Sequence, residues 1–400
     1  MRCDSDILHD PKLLLDYDVI VVGAGLAGAT CARALAERQS SRVIVIEKRD
    51  HIAGNAYDRL DEAGVLIHAF GPHIFHTDNE RVFTFLSRFT AWRDYEHRVL
   101  ANIHGSLIPV PFNHQGLIHA FGEEEGERIY QKLVRLFGEN TKIRLHEMRE
   151  SQDDDLKRVA DYVYENIFLH YTLKQWGQTP DEVDPAVTGR VPVMIGDDDR
   201  YFTNTYQGMP LDGYTSLVEK MLDHDLIDVV TGLDACSVLE VAPQALTVEG
   251  EQFSGTVIYT GPLDELFDFE FGELPYRSLD MVFETYQQDE FQPVGTVNYT
   301  TEEEAFTRIT EFKHLTGQMI DGVTTILKEY SCEYHPKTDQ IPYYAIINQE
   351  NQERYERYAK RAQEIPAFYP VGRLAEYRYY DMDAVVASAL DLIDSIVPER

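Results

Sequence analysis

The segment Asp16-Tyr-Asp-Val-Ile-Val-Val-Gly23-Ala-Gly25-Leu-Ala-Gly28 decides the fold of this 400-residue chain. Its apolar run, Val19–Val22, is typical of a buried parallel strand. Gly23 permits a tight turn, Gly25 lets a pyrophosphate approach the backbone, and Gly28 lets the next helix pack against the strand. The free N–H groups at the start of that helix favour a diphosphate. The segment therefore predicts a strand–turn–helix unit that binds a dinucleotide.

A second apolar run, Arg42-Val-Ile-Val-Ile-Glu47, supports this prediction because it ends on an acid 19 residues after Gly28. A carboxylate at the tip of a parallel strand can accept hydrogen bonds from ribose hydroxyls. The later pair Gly54-Asn55 marks a loop that returns toward the cofactor. The alternative is a glycine-rich turn in a nucleotide-free α/β fold, and the position of Glu47 argues against it.

Composition limits the partners and the compartment. The formal net charge is −33, from 69 acidic and 36 basic residues, so neither nucleic acid nor an anionic membrane is an expected partner. The cysteines, Cys3, Cys31, Cys236 and Cys332, are widely scattered, which favours reduced thiols in a cytoplasmic protein. Residues 1–15 lack the apolar core of a signal peptide, and we expect a loosely ordered N-terminal extension.

Hydrophobic periodicity divides the rest of the chain. Apolar residues at helical spacing predict a helical bundle over residues 115–176. Proline and glycine then mark a long loop, residues 179–199, that carries Arg190. Alternating runs at residues 279–299 and 306–312 predict an antiparallel sheet, and Ala384–Ile396 predicts a closing helix.

Several further motifs resemble segments of the bacterial UDP-galactopyranose mutases. They are Gly71-Pro-His-Ile-Phe-His-Thr77, Tyr171-Thr-Leu-Lys-Gln-Trp176, Thr307-Arg-Ile309, and Gly372-Arg373 followed by Tyr379-Tyr-Asp-Met-Asp383. The likeness runs from about Asp16 to the last helix. The chain departs from the family pattern at Ala53, where glycine is common, and at Ile167, where a phenylalanine often lines the uridine pocket.

The resemblance implies an α/β fold with a Rossmann-like FAD-binding domain, a helical-bundle insertion and an antiparallel β-sheet domain. We assign the discontinuous FAD-binding domain to residues 16–90, 211–272 and 366–400. The helical bundle takes residues 109–188, with a mobile loop at about 180–199. The sheet domain takes residues 91–108, 189–210 and 273–365.

The resemblance also implies a reaction, the interconversion of UDP-α-D-galactopyranose and UDP-α-D-galactofuranose for glycan and cell-wall biosynthesis. It proceeds without net redox change and requires reduced FAD. Flavin N5 attacks the anomeric carbon, UDP leaves, and the N5-galactosyl adduct recloses as the five-membered ring. UDP-galactose is then the small-molecule partner and NAD(P)H a candidate external reductant. We also expect a homo-oligomer, although the sequence identifies no interface.

Roles for individual residues follow from the resemblance as well. The candidate catalytic residues are Arg190, Arg308 and His76. The candidate cofactor contacts are Gly23, Gly25, Gly28, Glu47, Asn55, His73, Arg373, Asp381 and Met382. The candidate substrate contacts are Phe168, Tyr171, Thr172, Trp176, Arg190, Tyr201, Arg308, Tyr344 and Tyr379.

Simpler explanations compete with some of these roles. Each arginine could be a solvated surface residue, and Asp381 could be only a helix cap. His73 and His76 have the spacing of a metal pair, but no third ligand completes a site, so we expect no metal.

Two other functions remain open. One is an FAD-dependent oxidoreductase of the amine-oxidase type, and the other is a non-enzymatic FAD- or NAD-binding regulator. The arginines and the tyrosine set distinguish the first alternative from a mutase, because a diphosphate sugar needs them and an amine does not.

Overall fold

The computed structural model describes residues 4–177, 192–242, 245–336 and 340–397. Its strands are Val19–Val22 (β1), Val43–Glu47 (β2), Asp58–Leu60 (β3), Leu66–His68 (β4), Phe75–Thr77 (β5), Trp92–Asp94 (β6), Val99–Ile103 (β7), Ser106–Val110 (β8), Thr141–Ile143 (β9), Val193–Ile195 (β10), Tyr206–Pro210 (β11), Ile227–Thr231 (β12), Leu239–Ala242 (β13), Ala245–Val248 (β14), Glu251–Phe253 (β15), Thr256–Tyr259 (β16), Tyr276–Tyr286 (β17), Thr296–Tyr299 (β18), Arg308–Glu311 (β19), Thr324–Glu333 (β20), Tyr344–Ala345 (β21) and Phe368–Pro370 (β22).

The α-helices in the same ranges are Asp4–His9 (α1), Leu26–Gln39 (α2), Glu80–Leu86 (α3), His114–Phe121 (α4), Glu123–Phe137 (α5), Leu145–Glu150 (α6), Asp154–Val163 (α7), His170–Trp176 (α8), Gly213–Leu222 (α9), Ala235–Val238 (α10), Leu263–Leu266 (α11), Phe312–Thr316 (α12), Gln349–Gln363 (α13) and Met382–Ile396 (α14). None of the helices within these ranges is long and apolar enough to cross a membrane. Short 3₁₀ helices cover Pro11–Asp16 and Gly54–Ala56, and a π-helix covers Tyr164–Leu169.

A five-stranded parallel sheet in the order β12-β2-β1-β16-β22 organises the dinucleotide site. Val19 and Val21 of β1 pack on one face, against α2, α9 and α14, while Ile20 packs on the other. Both faces are covered, which explains why β1 and β2 are uniformly apolar rather than alternating. Because the strands run parallel, the turns that follow β1, β2, β16 and β22 meet at one edge.

A second, seven-stranded sheet has the order β21-β17-β20-β19-β18-β7-β8. The predicted antiparallel pairing is confirmed for its strands except at β18 and β7, which pair in parallel. In its centre, β19 and β20 pair with Arg308 opposite Glu329.

Helices α4 to α8 form the layer that the hydrophobic pattern predicts over residues 115–176. Ile129, Leu133, Val159 and Val163 are fully buried in its core, together with residues of β7 and β8. Acidic residues occupy the first turn of two of these helices, because α5 begins at Glu123 and α7 at Asp154.

Most of the predicted mobile loop, including Arg190, lies outside the described residues, between positions 178 and 191. The loop prediction is wrong for Val193–Ile195, which form the buried strand β10 and pair with β9, because Val193 and Ile195 pack into the core of the helical layer.

The expectation of a loosely ordered N-terminal extension is wrong for residues 4–15. They form α1 and most of the 3₁₀ helix, and Ile7 and Leu14 are 1% and 0% exposed. Both side chains belong to the same apolar cluster as Val230, and Lys12 pairs with Glu251. Contacts with distant strands fix this segment, so its short local pattern could not reveal it.

Candidate active site

The edge of the parallel sheet opens into a cavity lined by the turns after β1, β2, β16 and β22. Gly23 has φ +96°, and a Cβ atom at Gly28 would lie 1.9 Å from the Gly23 carbonyl oxygen. Only glycine at position 28 therefore allows α2 to start against β1 in this way. Gly25, the N-cap residue of α2, provides no side-chain cap for the helix. The first N–H groups of α2 thus face the cavity as a site for a diphosphate.

Glu47 lines this cavity and is 6% exposed. Its Oε2 accepts a hydrogen bond from Ala24 N at 2.9 Å, and its Oε1 accepts one from Arg49 N at 3.0 Å. Two backbone donors hold the carboxylate at the tip of β2, and each oxygen can accept a further bond from a ribose hydroxyl.

Arg49 supplies a further group that fits a dinucleotide. Its Nη2 donates to Asn55 Oδ1 at 2.9 Å and its guanidinium packs on the Phe70 ring at 4.8 Å. Within the described residues, the buried Nη1 atom has no hydrogen-bond partner. A buried donor without a partner in the wall of the cavity is what a bound polyanionic cofactor would satisfy. Together with the uncapped helix and Glu47, it shows that the residues present fit FAD.

A second cleft adjoins the cofactor cavity, and its wall combines cationic and aromatic side chains. Of the residues predicted from sequence, the structure brings together His73, His76, Tyr171, Tyr201, Arg308, Tyr344, Arg373, Tyr379, Asp381, Met382 and Asn55. Five side chains line both cavities, namely Asn55, His73, Tyr343, Arg373 and Met382. The two cavities therefore lie side by side and share a wall.

Arg308 is held in this cleft by a buried carboxylate. Its Nε donates to Glu329 Oε1 at 2.6 Å, and Glu329 is completely buried. Burial alone would lower the pKa of Arg308, but the Glu329 charge raises it well above the usual value, so the guanidinium stays charged. The cleft thus keeps a fixed positive group despite the acidic surface of the protein.

His73 presents a defined face to both cavities. Burial lowers its pKa to about 3, so the ring is neutral near pH 7. Its Nδ1 lies 2.8 Å from the Gly71 carbonyl oxygen, which can only accept a hydrogen bond. The proton is therefore on Nδ1, and Nε2 carries the lone pair.

The aromatic part of the cleft is a contiguous group. Tyr344 contacts the Trp176 ring at 5.3 Å and the Tyr379 ring at 5.5 Å, and Arg373 lies over Tyr344 and Tyr379. Burial raises the pKa of the Tyr171 hydroxyl, and it raises the pKa of the Tyr344 hydroxyl to about 12. Both hydroxyls therefore stay protonated near pH 7 and remain hydrogen-bond donors.

Three predicted substrate contacts lie outside this lining as far as the described residues define it. Phe168 packs in the core of the helical layer, Thr172 is buried on α8, and Trp176 reaches the site only through Tyr344 and Tyr379. Their roles, and that of Arg190, stay predictions. Asp381 is the N-cap of α14 without a side-chain capping bond, so the simple cap explanation does not account for it.

The cleft also contains residues that the sequence did not single out, notably His97, Phe202 and Asn298. Burial lowers the pKa of His97 to about 3, and its Nδ1 lies 3.1 Å from the Tyr95 hydroxyl. Glu329 was missed as well. Its strand, Thr324–Glu333, mixes apolar, polar and charged residues, so nothing in the sequence indicated that this acid is buried.

Comparisons with known proteins agree with this geometry. A family model described as UDP-galactopyranose mutase matches residues 166–379, and one described as an NAD(P)-binding Rossmann-like domain matches residues 21–89. A dTDP-fucopyranose mutase of Escherichia coli is 34% identical over 378 residues, covering 93% of this chain and 96% of the relative. A probable UDP-galactopyranose mutase of Klebsiella pneumoniae is 34% identical over 381 residues, 95% of this chain and 94% of the relative.

Solved structures resemble the chain in fold. A crystal structure of reduced UDP-galactopyranose mutase has a TM-score of 0.68 at 17% identity and covers 95% of this chain and 93% of its own. A putrescine oxidase bound to putrescine has a TM-score of 0.54 at 13% identity, with 96% and 99% coverage. At these identities both similarities concern the fold alone.

The fold and the two cavities define a flavoprotein in which a dinucleotide site adjoins a cleft for a second, anionic ligand. The chain belongs to the UDP-galactopyranose mutase family. It is therefore an FAD-dependent isomerase that interconverts the pyranose and furanose forms of a nucleotide sugar. The amine-oxidase alternative rests on distant fold relatives only, and a non-enzymatic regulator does not fit a family of enzymes.

Proposed function

We propose that this chain interconverts UDP-galactopyranose and UDP-galactofuranose and that its FAD must be reduced to do so. The observation that carries the proposal is the boundary between the two cavities, made by Asn55, His73, Tyr343, Arg373 and Met382. A dinucleotide in the first cavity and a sugar nucleotide in the second share this boundary.

Arg308 has the main electrostatic task in the proposed reaction. A departing diphosphate develops negative charge, and the planar guanidinium fork suits its oxygens. Arg190 is proposed as a second cation for the same diphosphate, supported by the family motif rather than by its position here. The hydroxyls of Tyr171 and Tyr344, held protonated by burial, are proposed as donors to phosphate oxygens.

When bound, reduced FAD supplies the nucleophilic nitrogen that takes the place of UDP at the anomeric carbon. The chain itself holds the leaving group and lines the reaction space with aromatic rings. His76 and Arg373 border the same space and are proposed to orient the cofactor and the sugar. NAD(P)H as external reductant, a homo-oligomeric state and a cytoplasmic location remain predictions.

A second candidate substrate comes from the E. coli relative, which is named a dTDP-fucopyranose mutase. The thymidine and uridine nucleotides carry the same diphosphate, so Arg308 does not distinguish them. The choice between the two is left to the experiment.

The decisive experiment incubates purified holoenzyme with UDP-galactofuranose, with and without dithionite, and separates the sugar nucleotides by chromatography. A parallel incubation uses dTDP-fucofuranose. Conversion to UDP-galactopyranose only in the reduced state supports the proposal. Faster conversion of the dTDP sugar would favour the second candidate, and bleaching of oxidised flavin by substrate without isomerisation would contradict both.

A further inference from the structure

The ring of His76 is fixed in the cleft from two sides. His76 lies in the middle of β5, opposite Gln207 of β11. Its imidazole stacks on the Phe202 ring with centroids 3.5 Å apart and planes 17° apart. Strand pairing holds the backbone of His76 and the Phe202 ring holds its imidazole, so the orientation of the imidazole does not depend on a ligand.

A chain of hydrogen bonds reaches His76 from an ionised carboxylate. Asp78 accepts hydrogen bonds from Thr205 N at 2.7 Å and from Asn204 Nδ2 at 2.8 Å. The bond from the Thr205 backbone, with further bonds from Thr205 and Asn204, lowers the pKa of Asp78, so it is ionised near pH 7. An ionised carboxylate only accepts hydrogen bonds, so the Asn204 amide must turn its NH₂ group toward Asp78.

The orientation of that amide determines the protonation of the histidine. With Nδ2 committed to Asp78, the Oδ1 atom of Asn204 faces His76 Nδ1 at 3.1 Å. An amide oxygen only accepts, so Nδ1 must carry a proton. In the neutral imidazole, the lone pair is then on Nε2.

We propose that Asn204, oriented by Asp78, is a positioning residue that holds His76 as the Nδ1–H tautomer, so that Nε2 acts as a hydrogen-bond acceptor in the cleft. The inference rests on the proposed function, because it takes the cleft to be where the sugar reacts. The donor is a hydroxyl of the sugar or an N–H of the reduced cofactor.

His97 provides a contrast within the same cleft. Its Nδ1 lies 3.1 Å from the Tyr95 hydroxyl, which can either donate or accept a hydrogen bond. The tautomer of His97 is therefore not dictated by its neighbour, whereas that of His76 is dictated by a carboxylate two hydrogen bonds away.

The test is ¹⁵N NMR of histidine-labelled holoenzyme near pH 7.5, with the His76 signals assigned by their loss in His76→Gln. We expect a pyrrole-type signal for Nδ1 and a pyridine-type signal for Nε2. In Asp78→Asn the new amide can present either nitrogen or oxygen, so Asn204 can rotate. The two His76 signals should then move toward each other, and kcat should fall about 10-fold, with FAD affinity unchanged.

Two additions identify the donor. If it is a sugar hydroxyl, the Nε2 signal shifts when UDP-galactose is added to the oxidised enzyme. If it is a cofactor N–H, the signal shifts on reduction with dithionite alone.

The matched control is Glu303→Gln, which removes a carboxylate 2.8 Å from the ring of the exposed His104 and should leave kcat and the His76 signals unchanged. If Asp78→Asn does not fold, Asn204→Leu removes the acceptor with little change in volume. His76 should then populate both tautomers, as expected for Asp78→Asn.

A wild-type spectrum with a proton on Nε2, alone or on both nitrogens, would overturn the inference, as would a folded Asp78→Asn with unchanged signals and kcat. The NMR measurement needs no turnover. It therefore separates a failure of this inference from a failure of the proposed mutase activity.

Discussion

Arg308 and Glu329 lie directly opposite each other on neighbouring antiparallel strands, and the arginine Nε donates to the carboxylate at 2.6 Å. Glu329 is completely buried, whereas the Arg308 side chain is 23% exposed at the cleft. The strand pairing thus fixes one edge of the guanidinium and leaves the rest of the fork for an anionic ligand. The register of the two strands therefore determines where the charge of Arg308 lies in the cleft.

The first prediction removes the charge of Glu329. In Glu329→Gln the bond to Arg308 is no longer charge-assisted, so the fork loses its fixed orientation, and kcat/KM should fall about 10- to 100-fold with FAD affinity unchanged. Steady-state kinetics under dithionite measure the effect. Glu284→Gln is the matched control, because Glu284 pairs with Lys328, the neighbour of Glu329 on the same strand. An unchanged kcat/KM in Glu329→Gln would show that Arg308 needs no such support.

The second prediction concerns the two arginines themselves. Arg308→Ala and Arg190→Ala should each lower kcat/KM about 100-fold or more, because each loses a charge-assisted contact to the diphosphate. UDP binding, followed by calorimetry, should weaken in parallel. Arg59→Ala removes an exposed arginine whose Nη1 donates to the carbonyl oxygen of the adjacent Leu60 at 3.5 Å, and should leave turnover unchanged. Wild-type turnover in either active-site variant would remove that residue from the proposed site.

The local sequence was sufficient to predict the dinucleotide-binding unit. The turn after β1, helix α2 and Glu47 lie within one short stretch, and glycine chemistry with strand length determines them.

The remaining parts of the site depend on pairing between distant strands. Arg308 lies opposite Glu329 because of the register between β19 and β20. Likewise, His76 contacts Asn204 because the fold brings the chain around Asn204 beside β5. A single sequence shows the residue types but not these registers. The buried N-terminal helices were missed for the same reason, since their partners lie more than 200 residues away.

The third prediction concerns Ala53, where the family commonly has glycine. Ala53 has φ 70° and is 1% exposed. A left-handed alanine costs about 1–2 kcal/mol, but glycine would lose a buried methyl worth about 0.8 kcal/mol and gain freedom in the unfolded chain worth about 0.5–1 kcal/mol. These effects nearly cancel, so Ala53→Gly should change the free energy of unfolding by less than about 1 kcal/mol.

Urea unfolding measures this change. The comparison variant Ala53→Val should destabilise the protein by about 2 kcal/mol or more, because a β-branched side chain is poorly tolerated at positive φ and the site is buried. Ala34→Gly, in the middle of α2, controls for the general effect of glycine and should cost about 1 kcal/mol. A large gain in stability in Ala53→Gly would show that the methyl group is a source of strain.

The fourth prediction is a loss of stability on mild acidification. Burial lowers the pKa of His68 to about 4 and that of His97 to about 3, whereas a histidine in the unfolded chain titrates near 6.5. Between these values the unfolded chain binds more protons than the folded one. The free energy of unfolding should therefore fall as the pH drops from about 6.5 toward 4, by up to about 1.4 kcal/mol per pH unit for each histidine.

Urea unfolding at several pH values from 7.5 to 5 gives this slope. His97→Asn should reduce this slope by the contribution of one histidine, because asparagine does not titrate. The control His104→Asn makes the same substitution at an exposed histidine outside the cleft, and so reports the general effect of the change. If His97→Asn has the wild-type slope, the imidazole of His97 is already protonated in the folded protein. It would then carry positive charge beside Arg308, and the hydrogen bond between its Nδ1 and the Tyr95 hydroxyl would have to be donated by the histidine.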